Sequence, residues 1–177
     1  MERLKNILFR YGLLALVALS GLGFFYWIFS PLTVYPVFSL FDIFFDPVFC
    51  GDCGANTILI DNFQIEIIGS CIAGSAYLFL LILNLVTPKI KISKRLKMIG
   101  SGFLAFLIMN ILRIFIMGLM YIYGSSWFDF AHKFVWYIGT TVFVILVWFI
   151  QVKYFKIKGI PFYSDIKYLY SGTKKKS

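Results

Sequence analysis

Charge is scarce in this chain. Only 14% of its 177 residues are Asp, Glu, Lys or Arg, whereas 60% are hydrophobic and 20% aromatic. An ordinary soluble domain carries about a quarter charged residues, so that class is excluded. Histidine is scarcer still, with a single copy, and there are three cysteines. No second Cys or His pair accompanies Cys50 and Cys53 to complete a zinc site, and neither a metal nor any other cofactor is expected. There is no internal repeat and no polar stretch long enough for a separate soluble module. Residues 1–177 read as a single integral membrane domain.

Long apolar runs are what the chain has instead. Runs of about 18 or more apolar residues read as membrane spans. Four occur, at about 11–29, 67–86, 98–121 and 128–152. The net charge of +9 could point to nucleic acid, but its placement points to topology. Arg3, Lys5 and Arg10 precede the first span; Lys89, Lys91, Lys94, Arg95 and Lys97 fill the loop between the second and third. Further lysines crowd the tail, 153–177. Asp42, Asp46, Asp52, Asp61, Glu66 and Asp129 lie in the other two loops, where Lys133 is the one basic residue. Basic residues stay on the cytoplasmic side, so both termini and the basic loop are expected there. The expected location is the cell membrane, with the lipid bilayer as partner and no nucleic acid. The basic start of the first run also fits a cleavable signal peptide. Its continuation through Phe24, Phe25, Trp27 and Phe29 favours a retained span.

Residues 30–66 form the expected outer loop. Pro31, Pro36 and Pro47 interrupt its apolar part, and Asp42 and Asp46 sit inside it. Residues 32–49 therefore read as an interfacial or re-entrant segment and not as a span. Two β-prone runs around Asp61-Asn62 then predict a hairpin that delivers the chain to Cys71. The hairpin is either a plain loop fold or a strand edge open to an extended peptide. The predicted fold is thus an all-α polytopic membrane protein, with about four transmembrane helices and a short extracytoplasmic β-hairpin between the first and second.

Cys50-Gly51-Asp52-Cys53 reads as a structural disulfide, a redox-active pair or, least well, a metal site. If the first two cysteines pair, Cys71 is the odd thiol, either reactive or a small buried hydrophobe. Depth brings it company. Cys71 is 15 residues from Val86, and Arg113 is 15 residues from Met98; both stand about 22 Å above the inner boundary. His132 stands about 27 Å above it on the last span. An arginine in a span costs roughly 3 kcal/mol or more unless it is paired or reaches water, and snorkelling to the outer interface is the alternative to a buried role. Asn110, one turn away on the same helical face, makes that face polar. Asp129 either orients His132 or caps the fourth helix.

The order Cys71-Ile72-Ala73-Gly74-Ser75, Asn110-x-x-Arg113, Ala131-His132 resembles the exosortase/archaeosortase family of membrane-embedded cysteine transpeptidases, in particular its smaller archaeal members. The resemblance covers about 58–147. Many members are larger and carry serine five positions after the cysteine, where this chain has Ala76. The resemblance implies cleavage of C-terminal sorting signals on membrane-anchored substrate proteins. Such a signal comprises a short motif, a hydrophobic helix and a basic tail, and the new C-terminus passes to a surface or lipid acceptor. It implies Cys71 as nucleophile, Arg113 as stabiliser of thiolate and oxyanion, and His132 as general acid and base. Two other readings compete. One is a four-helix thiol-disulfide oxidoreductase using Cys50 and Cys53; the other is a non-catalytic membrane assembly factor.

Overall fold

The structure is a computed structural model that describes residue 12 and residues 22–157, apart from 52, 54, 55, 88 and 89. Helix α1 (Gly23–Asp42) leads into a small sheet of β1 (Val48–Phe49), β2 (Thr57–Ile60) and β3 (Phe63–Glu66). A single turn of helix, α2 (Gly69–Ile72), precedes α3 (Gly74–Val86), and the longest helix, α4 (Ile92–Ile122), follows. The last apolar segment begins as α5 (Phe128–Phe134), passes through a π-helical turn (Val135–Gly139) and ends as α6 (Thr140–Tyr154). Four segments are long and apolar enough to cross a bilayer: Gly23–Asp42, Gly69–Val86, Ile92–Ile122 and Phe128–Tyr154.

Helix α1 corrects the sequence reading. Residues 32–42 are helical and continuous with 23–31, not a re-entrant loop, despite Pro31 and Pro36 inside the helix. The expected span at 11–29 lies mostly outside the described residues. Packing decides the matter. Thr33, Val34, Val37 and Phe41 are buried, and the Phe41 ring stands where a side chain at Gly118 of α4 would begin. Prolines are tolerated in apolar helices whose neighbours compensate the missing backbone bond. The hairpin forms as expected, with Ile58 opposite Ile65 and Ile60 opposite Phe63 around a two-residue turn. β1 adds a third, antiparallel strand, so the sheet order is β1-β2-β3.

Aromatic rings fill the space between α1, α3 and α4. Phe29 stacks on Tyr77 with centroids 3.6 Å apart, and Phe103 meets both rings edge-on. Such rings contribute large apolar area together with favourable edge-to-face geometry. Away from the sheet, a polar cluster ties three helices together. Gln151 of α6 donates to the Met98 carbonyl of α4 and accepts from Asn84 of α3 at 3.2 Å. Gly102 is the residue that fits beside it, since a Cβ there would collide with the Gln151 amide. Arg95 donates to the carbonyls of Leu85 (2.7 Å) and Thr87 (3.0 Å), which satisfies the end of α3 and holds the turn into α4.

Candidate active site

Cys71 sits on α2 because the chain cannot run straight from the hairpin into α3. Ala73 adopts the left-handed conformation, φ 58°, ψ 41°, and ends α2 after one turn. For a residue with a Cβ this geometry costs roughly 1–2 kcal/mol. Gly74 then lies against the Tyr26 ring, where an added Cβ would stand 2.9 Å from a ring carbon. The expected continuous helix at 67–86 is therefore two pieces set around a break. At such a break backbone carbonyls lose their intrahelical partners.

Asn110 and Arg113 fill that need. Asn110, buried on α4, donates from Nδ2 to the Cys71 carbonyl at 3.0 Å and to the Ile72 carbonyl at 3.5 Å. Arg113 donates from Nη2 to the same Cys71 carbonyl at 3.0 Å. Three residues apart, the two side chains share one helical face, which is why both reach the break. From Nη1, Arg113 also donates to the Thr140 hydroxyl at 2.9 Å. Thr140 in turn donates to the Val135 carbonyl, five residues earlier, at 3.1 Å. That spacing belongs to the π-helical turn, a distortion found often at functional positions. The guanidinium thus bridges α2 and the α5–α6 segment within the bundle, and snorkelling is not how it is accommodated.

Beside this bridge lies a cavity of about 240 Å³, lined among others by Cys71, Arg113, His132, Glu66, Tyr121 and Trp136. Cys71 is partly exposed, as its free thiol requires for reaction. His132 reaches the cavity from α5, its ring parallel to Phe128 at 5.5 Å between centroids and tilted against Trp136 at 6.1 Å. Among the described residues, aromatic packing and not a hydrogen bond orients the imidazole. Among the described residues no hydrogen bond joins His132 to Cys71, and both face the open space between them.

Two supporting expectations resolve differently. Asn110 takes part, though through the backbone of Cys71 and not through the cavity. Asp129 takes neither expected role: it is exposed in the first turn of α5, and that helix starts without a side-chain cap. Nor does a hydrogen bond or ion pair link it to His132 among the described residues. Cys50 and Cys53 form a disulfide with Cα atoms 5.4 Å apart. It sits beyond β1, and neither cysteine lines the cavity. Among the described residues no three His, Cys, Asp or Glu side chains converge as a metal site would need. Thr140 is the residue that sequence reasoning missed. Its signal is a hydroxyl in an apolar run, and its meaning depends on the π turn. No family model, curated protein or solved structure matches this chain.

Proposed function

We propose that the protein is a membrane-embedded cysteine protease or transpeptidase that cleaves C-terminal sorting signals of surface proteins. One observation carries the reading: a free thiol, a guanidinium and the single imidazole, drawn from three apolar segments, line one cavity. The Cys71 thiolate attacks the scissile carbonyl, forming a C–S bond and an oxyanion. Arg113 keeps its charge at any working pH and has more donors than its two hydrogen bonds use, so it stabilises that oxyanion. The C–N bond then breaks while His132 gives its proton to the leaving amine, and a thioester remains. An incoming nucleophile, deprotonated by His132, breaks the C–S bond and returns the thiolate. The substrate's hydrophobic tail docks against the helices from the lipid side, and this remote binding orients the carbonyl.

The distribution of basic residues supports cytoplasmic termini and a site near the extracytoplasmic face. The order of Cys71, Asn110, Arg113 and His132 along the chain, similar to that of the exosortase/archaeosortase family, supports the substrate class. The disulfide favours one second reading, a thiol-disulfide oxidoreductase working through Cys50 and Cys53. Cells expressing wild type or Cys71→Ala separate the two. The probe is a host membrane protein whose C-terminal tail is a hydrophobic span with a basic end, followed by intact mass. The tail is removed in wild type and kept in Cys71→Ala, and the mass added at the new C-terminus identifies the acceptor. Unchanged processing in Cys71→Ala rejects the reading. A phenotype confined to Cys50→Ser would move the function to the disulfide.

A further inference from the structure

Gln64, Ile65, Glu66, Ile67 and Ile68 line the cavity in unbroken succession. A strand viewed from one face offers alternate residues, because successive side chains point to opposite sides. A strand that offers every residue is viewed along its edge. The sheet order β1-β2-β3 leaves β3 with a single neighbour. Hydrogen bonding around the hairpin shows which backbone groups face outward. Thr57 accepts from the Cys50 N–H at 3.0 Å, so the backbone groups of Thr57 point toward β1. Glu66, its partner across the hairpin, is therefore in a non-hydrogen-bonded pair. The next pair is bonded, with the Ile67 N–H donating to the Asn56 carbonyl at 3.1 Å. By two-residue alternation, the N–H and C=O of both Gln64 and Glu66 point away from β2. Among the described residues no strand takes them up.

We propose that this edge is the substrate subsite, where an extended segment of the substrate polypeptide pairs with β3 as a fourth strand. The backbone groups of Gln64 and Glu66 supply the ladder. Ile68 remains extended, φ −77°, ψ 168°, but its carbonyl accepts from the Cys71 N–H at 2.9 Å, so the open edge ends at Glu66 and the chain runs directly into α2, which begins two residues before Cys71. A peptide laid along it is carried toward the thiol. Strand addition reads the backbone and leaves sequence preference to the side-chain pockets. The occupant is the extended stretch that precedes the substrate's membrane-crossing tail. Its backbone needs partners where the chain leaves its own helix near lipid, and the edge provides them. The inference rests on the transpeptidase reading and names how that enzyme presents its scissile carbonyl.

Proline tests the edge directly, because it deletes a backbone donor, and at 64 or 66 that donor is not part of the β2–β3 ladder. Using the same host protein as probe, Gln64→Pro and Glu66→Pro should slow tail removal about tenfold or more, the effect of about one lost hydrogen bond. Gln64→Ala and Glu66→Ala, which keep the N–H, should each slow tail removal less than proline at the same position. Unchanged alkylation of Cys71 by N-ethylmaleimide shows that the proline variants are folded. Equal loss in the alanine and proline variants, or none in either, overturns the proposal.

Cross-linking reads the edge without turnover. In a Gln64→Cys, Cys71→Ala chain, cysteines are placed one at a time in the probe's segment before its span. Disulfides forming at every second position support strand pairing. No periodicity, or a disulfide-linked dimer of the chain in place of the adduct, overturns it. If Cys71→Ala processes normally the transpeptidase reading falls, and the cross-linking pattern still decides whether the edge binds peptide.

Discussion

Arg113 holds two groups that belong to different helical segments, the Cys71 carbonyl and the Thr140 hydroxyl. A planar, forked guanidinium can span both, whereas a lysine ammonium is a point charge on a flexible stem. Arg113→Lys should therefore slow processing about a hundredfold, equivalent to about 2.7 kcal/mol of transition-state stabilisation. Thr140→Val removes one anchor and keeps the charge. It should cost about tenfold in the same intact-mass assay, in line with one hydrogen bond to a charged group. A fully active Arg113→Lys variant would rule out the proposed oxyanion role. The pair also separates the bridge from the fork: if both variants lose activity equally, the bridge to Thr140 accounts for the loss and the forked donors at the cavity add nothing to it.

At the scale of the element, the break between α2 and α3 positions the thiol, and its cost is local. Ala73 is strained by its Cβ, and Gly74 is confined by Tyr26. Ala73→Gly should raise stability by about 1 kcal/mol through relief of the left-handed strain, less the extra flexibility of glycine in the unfolded chain. Gly74→Ala should lower it by about 1–3 kcal/mol through overpacking. Tyr26→Leu should recover much of that loss, since the two sites touch and their effects are coupled. Thermal unfolding of the detergent-solubilised protein measures all three. Additive effects of Gly74→Ala and Tyr26→Leu would show that the Tyr26 contact does not confine the break.

At the scale of the whole molecule, the basic residues gather where α3 ends and α4 begins, and the sheet and cavity lie at the opposite ends of these helices. An orientation that follows the positive charge has a direct test in a Cys71→Ala background. Asn62→Cys, in the exposed hairpin turn, should react with a membrane-impermeant maleimide on intact cells. Ser93→Cys, exposed at the start of α4, should react only after permeabilisation. The reverse pattern would place the cavity on the cytoplasmic side.

The last three apolar segments and the hairpin at 57–66 were legible in the sequence, because they follow from local composition and periodicity, and counting along the helices put Cys71, Arg113 and His132 at a similar level, consistent with the one cavity that they line. Local logic failed at α1. Pro31, Pro36 and the nearby aspartates argue for an irregular segment, and burial of Val37 and Phe41 against neighbouring helices outweighs them. It failed also at Asp129, whose nearness to His132 in sequence does not become a hydrogen bond or ion pair among the described residues. What tertiary structure alone decided is how the candidate site is held. The left-handed turn at Ala73 frees two carbonyls, Asn110 and Arg113 answer them from another helix, and a π turn brings Thr140 within reach. The two turns are local, but the bonds that Asn110 and Arg113 make join residues 27 or more positions apart. No window of sequence contains both partners, so only packing could bring them together.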